Sequence, residues 1–146
     1  MEQKKKKNLL SIVIMVAVVV IAANLGPKLF NSKENNILNE NNTLSERAII
    51  MNKDCPFMID ENTRLDSVTS PKKDVLQNNY TLLNDNVADI NVDIFKDIFK
   101  LEITNHLKSN KETEFFRKNN ATLIYKYFDK EKQFVTEIVI LPSDYQ

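Results

Sequence analysis

Between Lys7 and Lys28 the chain carries no charged side chain, and residues 9–23 read LLSIVIMVAVVVIAA. A charge near the centre of a bilayer costs roughly 2.5–3.5 kcal/mol, so an uncharged apolar run of this kind points to burial in lipid. From Leu9 to Leu25 the run holds 17 residues. At about 1.5 Å per residue a helix of that length reaches roughly 26 Å, near the lower limit for a hydrocarbon core of about 30 Å. Local thinning of the bilayer covers such a shortfall at modest cost.

A cleaved signal peptide has a similar layout, with a basic start, an apolar stretch and small residues at Ala22 and Ala23. The apolar run is long for that role, and Ile21–Ala23 fits the small-x-small cleavage pattern poorly, so the layout favours an uncleaved signal anchor. No cysteine follows closely enough for a lipoprotein anchor. Lysines at positions 4–7 outnumber Lys28 and Lys33 beyond the run, which places the N-terminus in the cytoplasm by the positive-inside rule. The expected organisation is a basic cytoplasmic tail (1–8), a single-pass transmembrane anchor (9–25), an Asn-rich tether (26–42) and an extracytoplasmic domain (43–146). The expected location is a bacterial inner (cytoplasmic) membrane, with the domain in the periplasm or outside.

That location makes the charge balance informative. The chain has 20 basic and 20 acidic side chains. Setting aside the four N-terminal lysines and Glu2 leaves an exported part that is weakly acidic, without the basic stripe that phosphate neutralisation requires, so nucleic acid is not an expected partner. Cys55 is the only cysteine and Gly26 the only glycine. No internal disulfide can form, and phosphate-cradling loops of the Walker or Rossmann type, or a G-x-S-x-G elbow, cannot be built. Asparagine takes over the turn positions, since it enters the left-handed region at lower cost than other non-glycine residues. Such composition suits an AT-rich bacterial genome. The N-x-T triplets at Asn41, Asn79 and Asn120 are read as coincidences of an Asn-rich chain.

Gly26-Pro27 ends the apolar segment. Residues 43–52 carry a helix-start signature, with Thr43 as cap, Glu46 three residues on and Leu44, Ala48 and Met51 on one face. Pro56 stops that helix. Residues 57–59 and 63–69 read as short strands about a turn at 60–62, and Ser70–Asp74, containing Pro71, as a second turn. Residues 75–83 alternate, with Leu76, Tyr80 and Leu82 opposite Gln77, Asn79 and Thr81. Residues 92–108 form the strongest helix: Phe95, Phe99, Ile103 and Leu107 recur every four residues, and Ile94, Ile98 and Leu101 widen the stripe. A short helical turn over 111–119 precedes a hairpin of 122–128 and 134–141. The fold class is therefore α+β, in the order α-β-β-β-α-β-β, with an antiparallel sheet covered by one long helix.

The pieces Cys55-Pro56-Phe57-Met58-Ile59-Asp60, Thr63-Arg64-Leu65-Asp66-Ser67 and Asn79-Tyr80-Thr81-Leu82 form a loose pattern. With Tyr125-Lys126-Tyr127-Phe128-Asp129 and Leu141-Pro142-Ser143-Asp144-Tyr145 it resembles small bacterial membrane-anchored exported proteins. In these a helix is followed by P-x-x-x-D…T-x-L-D, a Y-x-L strand and a terminal hairpin. The resemblance implies the extent of the domain and no particular reaction.

Candidate chemistry is sparse. Cys55 follows a helix, at its negative end and beside Asp54, and both features oppose a thiolate; a small buried residue is the plainer reading. His106 borders the apolar stripe, and one His with one Cys makes no usual zinc set. Arg64 and Asp66 project to one side of a strand, as an ion pair or part of a recognition patch. Tyr80, Tyr125 and Tyr127 read as cross-strand pairs or as contact residues. No catalytic, metal or cofactor site is expected. The expected function is a membrane-tethered, non-enzymatic interaction module accessory to an envelope or secretion assembly. It would bind a protein partner through its sheet at Arg64, Asp66, Tyr80, Tyr125 and Tyr127, with residues 75–83 as the candidate edge strand. A thiol enzyme or redox protein using Cys55 is the alternative; a minor pilin-like subunit is disfavoured because Glu2 lies outside the apolar run.

Overall fold

The computed structural model describes residues 41–146; the basic tail, the apolar segment and most of the tether lie outside the described residues. Among the described residues no helix is long and apolar enough to cross a membrane.

Helix α1 (Leu44–Asn52) starts on the expected capping box: Thr43 Oγ1 accepts from the Glu46 N–H at 3.2 Å, and Glu46 Oε2 accepts from the Thr43 N–H at 2.7 Å. Strands β1 (Phe57–Met58), β2 (Thr63–Lys72) and β3 (Val75–Leu82) follow as an antiparallel meander. A 3₁₀ turn at Val87–Asp89 leads to helix α2 (Val92–Ser109). A second 3₁₀ turn (Lys111–Thr113) and helix α3 (Glu114–Lys118) lead to β4 (Thr122–Phe128), β5 (Phe134–Ile140) and a closing helix α4 (Pro142–Tyr145).

The five strands lie in sequence order in one sheet, but β3 and β4 are parallel. This corrects the all-antiparallel expectation. The connection from β3 runs back along α2 before β4 begins, so β4 re-enters at the end where β3 began. Strand β3 is thereby central, paired on both sides, and residues 75–83 are not an edge strand. The edges are β1 and β5. Strand β2 also runs past the turn expected at Ser70, through Pro71 to Lys72, with an irregular register that spares the proline a ladder bond.

Cross-strand partners share a face, so the register sorts the side chains. Leu65, Val68, Leu76, Tyr80, Leu82, Leu123, Tyr127, Ile138 and Ile140 join one core cluster with Leu44 and Ala48 of α1 and Phe95, Phe99, Ile103 and Leu107 of α2. Both helices therefore cover the same face. Ile94 and Leu101, expected to widen the α2 stripe, are exposed at 45% and 60%. Because α1 covers the β2 side of that face, only the every-fourth-residue ridge of α2 reaches the sheet. Burial of each large side chain in this ridge contributes roughly 1.5–3 kcal/mol before ordering entropy.

Helix α4, read from sequence as part of the hairpin's end, seals the core. Pro142 suits its first turn, the Asp144 carboxylate accepts the Leu141 N–H at 2.8 Å, and buried Tyr145 donates its hydroxyl to the Ala121 carbonyl at 2.6 Å. Removing that hydroxyl by Tyr145→Phe leaves a buried carbonyl short of a donor and should cost about 1–3 kcal/mol. Tyr145→Ala, which also opens a cavity, should cost about 3–5 kcal/mol. Urea unfolding of the two variants would show this order, and equal losses would contradict it.

Candidate functional site

The second face of the sheet carries no helix among the described residues. Its β2–β3 half is a polar network centred on Asp66. Arg64 Nε donates to Asp66 Oδ1 at 2.6 Å, and Thr81 Oγ1 donates to Asp66 Oδ2 at 2.5 Å. Lys132, from the β4–β5 turn, reaches across to Thr81 Oγ1 at 2.8 Å and Asp66 Oδ2 at 3.3 Å. A register shift places Asp66 in a bulge of β2, which turns its carboxylate toward these donors. Burial pushes the Asp66 carboxyl up, but the bonds from Thr81, Arg64 and Lys132 outweigh it and hold the group below its ordinary value.

The network continues along the face. Asn79 Nδ2 donates to Ser67 Oγ at 2.9 Å, Gln77 Nε2 donates to Asn79 Oδ1 at 3.0 Å, and Lys126 pairs with Glu137 at 3.2 Å. The β4–β5 half adds Ile124, Val139 and the edge-to-face pair Phe128–Phe134, with ring centroids 5.9 Å apart. The turn that presents Lys132 is clamped by buried Asp129, whose carboxylate accepts the N–H groups of Val87, Glu131 and Gln133 at 3.0, 2.9 and 2.8 Å. Burial raises the Asp129 carboxyl, and these backbone donors, with Lys130, more than reverse it.

The five residues singled out from the sequence therefore divide between the two faces. Arg64 and Asp66 sit on the helix-free face and form the expected pair. Tyr80 and Tyr127 lie in the core, and half-buried Tyr125 packs against it. Tyr80 stacks between Tyr125 (6.4 Å) and Tyr127 (5.2 Å), so these rings are cross-strand core pairs. Burial pushes the phenols of all three up, that of Tyr80 well beyond the ordinary tyrosine range. Sequence reasoning missed Thr81 and Lys132, because their contact with Asp66 spans three strands and depends on the sheet order.

Cys55 is half-buried, with its thiol 3.5 Å from the Met51 carbonyl. Burial, then Asp54 and Asp66, push that thiol up, away from the nucleophilic form. His106 faces the Asn110 amide at 3.1 Å, and burial pushes its imidazole down. Among the described residues no group of three or more His, Cys, Asp or Glu side chains is placed to hold a metal ion.

Residues 39–136 match the family described as Domain of unknown function (DUF8479), and the chain belongs to that family. No curated protein matches it in sequence. Solved structures with the same fold include a Pseudomonas aeruginosa protein described as secreted, with TM-score 0.57, 16% identity, and coverage of 70% of this chain and 89% of that one. A pilotin of the Vibrio vulnificus type 2 secretion system, EpsS, matches with TM-score 0.55 at 10% identity over 70% of this chain and 88% of its own. The Vibrio cholerae type II secretion pilotin AspS matches with TM-score 0.51 at 9% identity over 69% and 87%. At these identities the likeness is one of fold.

The Asp66 network makes a pH-dependent prediction. Asp66→Asn should lower stability at neutral pH by about 1 kcal/mol, because the bonds are charge-assisted but partly exposed to solvent. The folded-state pKa lies below the unfolded one, so this contribution is present above the unfolded value and is lost as pH falls through the folded one. Urea unfolding should therefore show the gap between wild type and variant narrowing as pH falls below the ordinary carboxylate range. A gap that persists in acid would assign the loss to packing instead.

Proposed function

We propose that this member of the family is a membrane-tethered, non-enzymatic interaction module, working outside the cytoplasm as an accessory to an envelope or secretion assembly. It binds its protein partner through the helix-free face of the sheet, around Arg64, Asp66 and Lys132. The observation that carries the reading is the fold held in common with two type II secretion pilotins over 87–88% of their length. A face bearing two cations, a carboxylate and an adjoining apolar strip, with no helix over it among the described residues, supports the choice of surface.

The uncharged run at residues 9–23, with four lysines ahead of it, supports a single-pass anchor in the bacterial inner membrane with the N-terminus inside. In this reading residues 26–42 tether the domain to that anchor through 17 residues of chain. A thiol-based activity finds no support in a Cys55 whose thiol is pushed up rather than down.

In intact cells, external protease reaching the C-terminal domain while the protein stays in the membrane fraction is the expected result for compartment. For the surface, a photo-crosslinking residue at Ser67 should capture an envelope or secretion component. Arg64→Glu combined with Lys132→Glu should reduce that capture at least ten-fold, while Ile49→Ser, on the outer side of α1, leaves it unchanged. Capture that is indifferent to the charge reversal would remove the helix-free face from the reading.

A further inference from the structure

The two edges of the sheet are finished differently. At the β1 side, α1 guards what β1 is too short to cover: the Val68 N–H of β2 donates to Asn52 Oδ1 at 2.9 Å. At the β5 side no described strand or side chain takes that role along the middle of the strand. The direction of its backbone groups follows from two bonds. The Thr122 N–H donates to the Asp74 carbonyl, toward β3, and the Asp129 N–H donates to the Gln133 carbonyl, toward β5. Backbone groups alternate sides along a strand, so Leu123, Tyr125 and Tyr127 exchange bonds with Ile140, Ile138 and Thr136. The N–H and C=O of Glu137 and Val139 therefore point outward, unpaired.

We propose that this edge pairs with the β5 edge of a second copy of the chain, antiparallel and centred on Ile138, to make a continuous ten-stranded sheet. Charge and capping select the register. Glu137 opposite Glu137 sets like charges face to face. Val139 opposite Val139 requires the Leu141 N–H, which the Asp144 carboxylate already holds. The remaining register sets Glu137 against Val139 of the second copy, and each Glu137 keeps its own Lys126.

That register also accounts for two exposed apolar side chains. Phe134, which opens β5, and Leu141, the extended residue just past its end, are 55% and 47% exposed, and alternation from Val139 puts Leu141 on the helix-free side with Phe134. With the register centred on Ile138, Leu141 of the second copy falls opposite the bulge at Phe134–Val135, so each copy covers the other's exposed pair. The two-fold axis runs perpendicular to the sheet. Both α1 helices, which open the described domains, then lie on the same side of the sheet, as two chains anchored in one membrane require. This last point rests on the anchor reading; the strand pairing does not.

The test uses the full chain in detergent on a Cys55→Ser background. Chains carrying Phe134→Cys, co-expressed with chains carrying Leu141→Cys, should be joined by a short bismaleimide at least five-fold more efficiently than either variant alone. Like positions would lie at least some six residues apart along the pairing, about 20 Å. Equal yields from all three samples, or none, overturn the proposal. Val139→Pro deletes an N–H that points away from β4, so the fold should keep its circular dichroism and melting profile while the mixed crosslink falls to background. A folded Val139→Pro chain that still crosslinks overturns it too. Failure of the membrane-topology test would leave this crosslink in place, whereas loss of the crosslink leaves the topology untouched.

Discussion

The packing around the Tyr127 ring holds the architecture together. Tyr127 sits on β4, next to the one parallel pairing of the sheet, and takes Phe95 and Phe99 of α2 edge-on at 4.9 and 5.6 Å while stacking on Tyr80 of β3 at 5.2 Å. Phe95 and Phe99 stack on each other at 4.3 Å. Offset-stacked and edge-to-face contacts of this kind add about 0.5–1.5 kcal/mol each beyond area burial. A parallel pair of strands needs its crossover helix packed on it, and these rings join helix and strand pair in one contact set. With α2 fixed there, β4 must lie beside β3, β5 becomes an edge, and among the described residues the opposite face stays without a helix.

This division gives stability and recognition separate surfaces. The covered face is largely apolar and holds the tyrosines, which the sequence left as cross-strand pairs or contact residues. The open face holds charge, amide ladders and a strip of apolar side chains near β5. Changes to Arg64, Ser67 or Lys132 therefore fall on the side of the sheet away from the core cluster. The fold it has in common with the secretion pilotins is compatible with very different surfaces, since identities near 10% leave almost every exposed position free to differ.

Local chemistry was legible in the sequence. The capping box at Thr43 and Glu46, the four-residue recurrence from Phe95 to Leu107, and the alternation on either side of the Asp129 turn each specify structure over a few residues. The Arg64–Asp66 pair was legible for the same reason, because two positions on one strand share a face. The direction of β4 relative to β3 was not, since alternation is the same for either direction and only the route of α2 decides it. The alternation that sets Tyr80 with Leu76 and Leu82 did show its face, whereas the arrival of Lys132 at Asp66 follows from the direction of β4. The closing helix at Pro142–Tyr145 was hidden by its length, four residues being too few to show a period.

Lys132 links these two levels. Its φ is 67°, in the left-handed region where a residue with a Cβ is disfavoured by roughly 1–2 kcal/mol. Glycine would relieve that strain, and the chain has none after Gly26. Asn120, the other residue with positive φ, is of a type that tolerates the region. Lysine is not, so something must hold it there. Asp129 does so from within the turn by binding the N–H groups on either side of Lys132, at Glu131 and Gln133. From outside the turn, Thr81 and Asp66 anchor the ammonium group. A flexible glycine would free the turn of strain but would remove the cation that joins the hairpin to the open face, so the strained residue and the proposed surface are one feature.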